Sequence, residues 1–163
     1  MSMWWAGYHG TAFVMNEGEF NKVTNAYQAA NELGEDWDPF EDDNDFCFKN
    51  GSEKNIVVTR ISNDCCDGMR LIPFLNENGK PNIYIPGKNE RHPKQVVEVL
   101  SFRGDDCYVV FTDRDTCGPS MFQNPYKSYE EIKEEFREKL GEYFPSDFDW
   151  DSHIGDFSYA CYC

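Results

Sequence analysis

The fold is decided by the last part of the chain, residues 128–163, which has the sequence SYEEIKEEFREKLGEYFPSDFDWDSHIGDFSYACYC. Its first half predicts an amphipathic helix, because apolar residues recur at spacings of three and four and so share one helix face. These apolar residues are Tyr129, Ile132, Phe136, Leu140 and Tyr143. Ser128 is the predicted N-cap, and Glu131 completes a capping box with it. Pro145 stops the helix, and the aromatic run at 157–163 predicts a terminal strand.

A second amphipathic helix is predicted near the start of the chain, after a short buried strand at residues 10–15. Asn16 and Glu19 have the spacing of a capping box at its N-terminus. Its apolar stripe consists of Phe20, Val23, Tyr27, Ala30 and Leu33. Gly34 is suited to end this helix, because glycine adopts the left-handed conformation of a C-terminal cap without strain.

Three β-hairpins are predicted between the two helices, each from two short apolar runs joined by a polar turn. Their strand pairs are residues 46–49 with 56–61, residues 69–75 with 83–85, and residues 96–102 with 107–112. Pro73 indicates that its strand lies at an edge or contains a bulge. Short connections imply antiparallel pairing, and two amphipathic helices can cover one face of such a sheet. We therefore expect a single α+β domain over residues 1–163, with a mostly antiparallel sheet of about five to seven strands.

The charge of the chain is strongly negative and unevenly distributed. Among its 163 residues are 30 acidic and 15 basic side chains, a net charge of −15. Residues 1–48 carry ten acidic and one basic residue and residues 104–163 carry fourteen and five, so each end has a net charge of −9. The middle, residues 49–103, carries six acidic and nine basic residues, a net charge of +3. The net charge disfavours binding to nucleic acid or to an anionic membrane. If the two acidic ends fold together, they could form one negative face.

The cysteines and the hydropathy pattern favour a cytoplasmic protein. No apolar run approaches the roughly 18 residues of a membrane helix, and residues 1–8 lack the regions of a secretory signal. Seven cysteines, an odd number, favour reduced thiols. A zinc site would need four ligands without a paired CxxC motif. The candidates for it are Cys65, Cys66, Cys161, Cys163, His9, His92 and His153. Cys117 and Ser120 are candidate nucleophiles, but no catalytic motif surrounds them.

The first acidic segment, residues 35–45, contains seven acidic residues and no basic one. The simplest interpretation of this segment is a loop whose charged side chains are exposed to solvent. The aromatic residues set among the carboxylates favour a second interpretation, in which the segment imitates a phosphate backbone with stacking groups. The candidate binding residues here are Asp36, Trp37, Asp38, Phe40, Glu41, Asp42, Asp43 and Asp45.

The second acidic segment alternates acidic and aromatic residues. Its candidate binding residues are Asp147, Asp149, Trp150 and Asp151. In an extended segment, this alternation would place Asp147, Asp149, Asp151 and His153 on one face. Three carboxylates suit a hard divalent cation such as Mg²⁺ or Ca²⁺, but Ser152 occupies the position where an EF-hand loop needs glycine. The alternative is a solvated polar face opposite buried Phe148 and Trp150.

The leading functional hypothesis is an acidic protein-binding domain that uses no cofactor and binds neither nucleic acid nor membrane directly. Its expected partner is a basic, nucleic-acid-binding protein, which it would inhibit by mimicking nucleic acid. Phages and mobile elements could encode such an inhibitor against a host nuclease. The acids of residues 35–45 and 147–156 would provide the attraction, with Trp37, Phe40 and Trp150 as anchors if they are exposed. One alternative is a metal-dependent hydrolase that holds a divalent cation at the 147–153 cluster. The other is a structural or immunity-type domain whose charge only keeps it soluble.

Overall fold

The six strands that the structure describes form one antiparallel sheet. The computed structural model describes residues 5–41, 45–49, 55–61, 66–73, 75, 106–111 and 129–162. The elements in these residues are β1 (Trp5–Met15), α1 (Glu17–Ala30), β2 (Asp45–Lys49), β3 (Asn55–Ile61), β4 (Cys66–Pro73), β5 (Cys107–Phe111), α2 (Tyr129–Leu140) and β6 (Ile154–Tyr162). A short 3₁₀ helix, Gly141–Tyr143, follows α2. The strand order is β2-β3-β5-β1-β6-β4. The expected α+β fold is therefore confirmed.

The first and last strands of the chain are neighbours in the sheet. β6 pairs with β1 from Trp5↔Tyr162 to Phe13↔Ile154, so both strands are longer than the sequence predicts. β6 separates β1 from β4, which is the last of the described strands on that side of the sheet. The edge position or bulge indicated by Pro73 stays a prediction, because the predicted partner strand of β4 lies outside the described residues. The terminal segments therefore supply much of the sheet's pairing.

One predicted hairpin is confirmed and another is wrong. β2 pairs with β3, with Phe46 opposite Val58. β5 has β1 on one side and β3 on the other, so no edge of it is left for a hairpin with residues 96–102. Residues 96–102 and 83–85 lie outside the described residues. The third predicted hairpin is wrong for a physical reason. The local turn signal at residues 103–106 favours a hairpin, but long-range pairing with β1 and β3 occupies both sides of β5 instead.

α1 begins as predicted and ends earlier. Asn16 Oδ1 accepts a hydrogen bond from the Glu19 N–H at 2.8 Å, and the Asn16 N–H donates to Glu19 Oε1 at 3.0 Å, which completes the capping box. The helix ends at Ala30, ahead of the predicted cap at Gly34. Glu32 has a φ of 52°, in the left-handed region that terminates helices, so a non-glycine residue fulfils that role.

Both helices pack on one face of the sheet around Phe13. The ring of Phe13 is fully buried, and its centroid lies 5.8 Å from that of Phe136 of α2 and 5.2 Å from that of Trp150. α1 adds Phe20 and Val23 to the same cluster. The opposite face of the sheet holds a second buried cluster, formed by Ala12, Val14, Ile61, Leu71, Cys107, Val109 and Phe157. Full burial of side chains of this size stabilises the fold by about 1.5–3 kcal/mol each.

Candidate functional site

The sheet topology gathers one terminus of each of the six described strands, and the start of α1, at one end of the molecule. β1 ends there at Met15, which is paired with Tyr108 near the start of β5. β6 begins beside β1, and β3 ends beside the start of β5. β2 begins at the same end, next to the last residues of β3. We call the acidic residues at these termini, together with those at positions 41 and 147–151 of the segments that lead into β2 and β6, the acidic end of the sheet. They are Glu17, Glu19, Glu41, Asp45, Asp106, Asp147, Asp149 and Asp151.

Phe40 attaches the first acidic segment to the start of α1. Its ring is 5% exposed and stacks on Phe20 of α1, with centroids 5.3 Å apart, and on Tyr108 of β5 at 6.0 Å. The Arg60 guanidinium lies 4.5 Å from the centre of the same ring. Asp38 Oδ1 accepts a hydrogen bond from the Phe40 N–H at 3.0 Å, which forms a local turn just ahead of Phe40. The segment is thereby held beside the first turn of α1.

His153 attaches the second acidic segment to the same turn of α1. Its Nε2 lies 2.7 Å from Glu19 Oε2, and its Nδ1 lies 2.7 Å from the carbonyl oxygen of Asp149. The imidazole ring packs against the rings of Phe13 and Phe148, with centroids 5.7 and 4.6 Å away. Glu19 and Phe20 are adjacent in the chain, so the two acidic segments are held by neighbouring residues of one helical turn.

The contacts of His153 favour a protonated ring. Nε2 faces the Glu19 carboxylate and Nδ1 faces the Asp149 carbonyl, both of which are acceptors, and the Ser152 hydroxyl, 3.0 Å from Nδ1, can donate to that nitrogen when the ring is neutral. Burial alone would lower the pKa of His153, but the hydrogen bond and charge of Glu19, helped by Asp149, raise it. Burial alone would raise the pKa of Glu19, but the donors His153 and Asn16 outweigh burial and lower it. The contact is therefore an ion pair between two largely buried side chains.

The electrostatics around Tyr108 show that acids from different elements converge here. Burial raises the pKa of the Tyr108 phenol, and the charges of Asp106 and Glu17 raise it further, whereas Arg60 opposes them. Asp106 precedes β5 and Glu17 begins α1, so the two are far apart in sequence. They nevertheless act on one phenol, which places both at the same end of the sheet.

Asp151 is held by α2 through two contacts. It accepts a hydrogen bond from the Tyr129 hydroxyl, and its Oδ1 lies 2.9 Å from Lys133 Nζ. Burial alone would raise the pKa of Asp151, but these two donors lower it. Burial and the Asp151 carboxylate raise the pKa of Tyr129. The turn that carries Asp151 is therefore bound to α2 as well as to α1.

The predicted extended metal-binding segment is not present. Residues 145–153 form successive turns, with hydrogen bonds from the Phe148 N–H to the Pro145 carbonyl and from the His153 N–H to the Trp150 carbonyl. Alternation of side chains therefore does not apply, and β6 begins only at Ile154. Within the described ranges, no three His, Cys, Asp or Glu side chains are grouped as metal ligands would be. Both nitrogens of His153 are also already engaged.

Two of the three expected anchors belong to the core. Phe40 is 5% exposed and Trp150 is 7% exposed, so neither can stack on a partner at the surface. Trp37 is half-buried, with its ring centroid 5.6 Å from those of Tyr27 and Phe46. Their burial follows from the same aromatic packing that fixes the acidic segments to the helices.

The predicted acidic residues differ in exposure. Asp36, Asp38, Glu41, Asp147 and Asp149 are exposed, whereas Asp45 and Asp151 are half-buried. Asp149 Oδ1 accepts a hydrogen bond from the Ser152 N–H at 3.3 Å, and Asp45 Oδ1 accepts one from the Thr59 hydroxyl at 2.7 Å. Asp42 and Asp43 lie outside the described residues.

Asp156 is removed from the acidic surface altogether. It lies in β6, paired with Thr11 of β1 and Ile72 of β4, and it is 7% exposed. Its Oδ1 has no hydrogen-bond partner. Burial raises the pKa of Asp156 to about 8, so the side chain is largely uncharged at neutral pH. It cannot contribute the attraction expected of residues 147–156.

Sequence reasoning missed Glu17, Asp106 and the second role of Glu19. The capping-box spacing identifies Glu19 as a helix cap, but its contact with His153 spans 134 residues. No local pattern signals a contact of that range. Asp106 was part of a predicted hairpin turn, and only the pairing of β5 with β1 brings it towards Glu17.

No helix in the described part of the chain has both the length and the apolar character that a membrane span requires. Comparison with protein-family models, with curated proteins and with solved structures finds no match. The case for a function therefore depends on the geometry of the acidic end.

Proposed function

We propose that this protein is an acidic protein-binding domain that presents the acidic end of its sheet to a basic partner. The observation that carries the proposal is the attachment of both acidic segments to one turn of α1, through Phe40 on Phe20 and His153 on Glu19. A surface with charge of one sign raises the association rate with a partner of the opposite sign. The net charge of −15 acts in the same direction.

The partner class follows from the chemistry of the surface. Closely spaced carboxylates match the arginine and lysine side chains with which a protein contacts nucleic-acid phosphates. We therefore propose a nucleic-acid-binding protein as partner, with this domain occupying its nucleic-acid site as an inhibitor. Since Phe40 and Trp150 are buried, the proposed mode of binding depends on carboxylates rather than on aromatic stacking.

The proposal includes a cytoplasmic location. Among the residues described, Cys47 is an exposed thiol without a disulfide. Unpaired exposed thiols are typical of a reducing compartment. A basic partner of the same compartment would be accessible to the domain.

The first experiment is an affinity purification from nuclease-treated bacterial lysate at low and at high salt, with mass spectrometry of the bound proteins. Nuclease treatment removes nucleic acid that would bridge two basic proteins. The expected result is capture of a basic nucleic-acid-binding protein that elutes as salt rises, because screening weakens attraction between exposed charges.

Two matched triple variants then test whether the acidic end is the binding surface. One variant removes three exposed charges there, by Glu17→Gln, Glu41→Gln and Asp147→Asn. The control removes three exposed charges from α2, by Glu130→Gln, Glu134→Gln and Glu138→Gln. Measured with the captured partner at low salt, the first variant should lower the association rate about tenfold and the control much less. Equal effects of the two variants, or an association rate insensitive to salt, would contradict the proposal.

A further inference from the structure

β2 is the last of the described strands on its side of the sheet. Within the described ranges, β3 is the one strand paired with it, over five consecutive residue pairs from Asp45↔Thr59 to Lys49↔Asn55. The backbone N–H and C=O groups on the far side of such a strand can pair with a strand from another chain. The side chains of β2 determine which strand fits there.

The side chains of β2 divide between the two faces of the sheet. Its two phenylalanines are each 5% exposed and belong to the core between the sheet and the helices. Cys47 and Lys49 are exposed and Asp45 is half-buried, and these three alternate with the phenylalanines, so they share the opposite face. On that face Cys47 lies opposite Val57 of β3, whose side chain is 43% exposed. Apolar surface is therefore exposed around the centre of β2.

The sequence of β2 is complementary to itself in charge. Asp45 and Lys49 stand two residues to either side of Cys47. In an antiparallel pair of two copies centred on Cys47, Asp45 of each copy lies opposite Lys49 of the other, and Cys47 lies opposite itself. Opposite charges directly across a strand pair attract, whereas like charges there repel. The hydrogen bond from the Thr59 hydroxyl to Asp45 does not prevent this contact, because a carboxylate accepts several hydrogen bonds.

We infer that β2 pairs antiparallel with β2 of a second copy of this chain, with Cys47 on the two-fold axis and an Asp45–Lys49 pair on each side of it. β2 begins at the acidic end of the sheet. Antiparallel pairing therefore directs the acidic ends of the two copies away from each other, which limits the repulsion between two chains that each have a net charge of −15. This dimer does not depend on the function proposed above.

Two single variants of the full chain test the charge pairing. Lys49→Glu places an acid opposite Asp45 of the second copy, and Asp45→Lys places a base opposite Lys49. Each variant should raise the dissociation constant of the dimer about tenfold, because two attractive pairs become repulsive. Sedimentation of a concentration series at physiological ionic strength measures this. The control Arg137→Glu makes the same change in net charge as Lys49→Glu, at an exposed position of α2, and should have much less effect.

A mixture of the two variants distinguishes this register from any other contact between copies. A chain with Asp45→Lys has a base at both ends of β2, and a chain with Lys49→Glu has an acid at both ends. Each therefore repels its own copy and matches the other, while the mixed pair has the same total charge as two wild-type chains. Mixed in equal amounts, the variants should form a heterodimer about as stable as the wild-type dimer. Absence of this heterodimer, or wild-type self-association of either variant, would overturn the inference.

Cys47 gives a second, covalent readout of the same register. Directly opposite residues of paired strands have Cβ atoms about 5 Å apart, so a short bifunctional maleimide should link two chains through Cys47. Mass spectrometry of the linked peptides identifies the residue, and Cys47→Ser should remove this link while the chain still dimerises. A wild type that stays monomeric at every concentration, or that is linked through other cysteines alone, would overturn the inference. Failure to capture a basic protein from lysate would instead overturn the proposed function and leave the dimer unaffected.

Discussion

Asp156 and His153 are three residues apart in the chain, and both are buried, at 7% and 9% exposure. They nevertheless differ in charge state. His153 has an acceptor at each ring nitrogen and is stabilised as a cation by Glu19. Asp156 has an oxygen without a partner and avoids its charge, since burial raises its pKa to about 8. Burial by itself therefore does not fix whether a side chain is charged; the partners that the fold supplies decide it.

The two residues give the fold the same pH trend over different ranges. An unfolded Asp releases its proton near pH 4, whereas folded Asp156 keeps it until about pH 8, so stability falls as pH rises through that interval. The raised pKa of His153 contributes stability that is complete below about pH 6.5 and lost as pH rises through the folded value. Glu19, with a lowered pKa, contributes stability that is lost as pH falls below about 4.5.

The largest expected effect comes from Asp156→Asn, which removes the ionisation and leaves a side chain of similar shape. At pH 7, retention of the Asp156 proton costs the wild type about 4 kcal/mol relative to pH 4, so the variant should be more stable by up to that amount at pH 7 and similar at pH 4. Urea denaturation across this pH range measures the difference.

The matched control for this prediction is Asp151→Asn, five residues earlier in the chain. The pKa of Asp151 is lowered by Tyr129 and Lys133, so this substitution should destabilise the protein at pH 7 rather than stabilise it. Equal pH slopes for wild type and Asp156→Asn would show that Asp156 is not a buried neutral acid.

A smaller effect on stability is expected from the substitution Gly155→Ala. Gly155 lies between His153 and Asp156 in the chain. A methyl group on Gly155 would overlap the backbone carbonyl of Ile72 and lie 2.7 Å from the Pro73 Cα. β4 must then move away from β6, at a cost of about 1–3 kcal/mol. Movement of β4 would admit water to Asp156 and flatten the pH dependence of unfolding.

The same variant should leave the His153 titration unchanged, because the contacts of His153 with Glu19 and Asp149 do not involve β4. Thermal unfolding at several pH values, together with NMR of the His153 ring, tests both statements. A shifted His153 titration in Gly155→Ala would show that the two buried groups are coupled rather than independent.

The smallest effect is expected from Glu19→Gln, which weakens the ion pair without removing a hydrogen-bond acceptor. The variant should lose about 1 kcal/mol of stability at pH 5.5, where His153 is protonated. Between pH 5.5 and pH 9, the loss should shrink as pH rises through the folded pKa of His153, because a neutral imidazole leaves no ion pair to be weakened. Chemical denaturation at the two pH values measures this, with Glu17→Gln as the control for the lost helix-terminal charge. A loss of equal size at both pH values would mean that the pair contributes through packing alone.

Local patterns in the sequence predicted the two helices well, because one apolar face or one capping motif is sufficient to identify a helix. The spacing of Phe20 and Val23 identified the buried side of α1, and Asn16 with Glu19 located its first turn. The spacing of Ile132, Phe136 and Leu140 did the same for α2. These signals are local, because a helix is hydrogen-bonded within itself and needs only one apolar face.

The sequence also determined that the two ends of the chain are acidic and that two helices would cover an antiparallel sheet. Only the tertiary structure decided that β6 inserts between β1 and β4, that β5 has no edge for a hairpin, and that Phe40 and Trp150 are core residues. It also decided that Glu19 meets His153 while Asp156 has an unpaired oxygen. The physical reason is the range of the interactions: helix periodicity and capping act over a few residues, whereas strand order and the pairing of buried charges join residues more than one hundred positions apart.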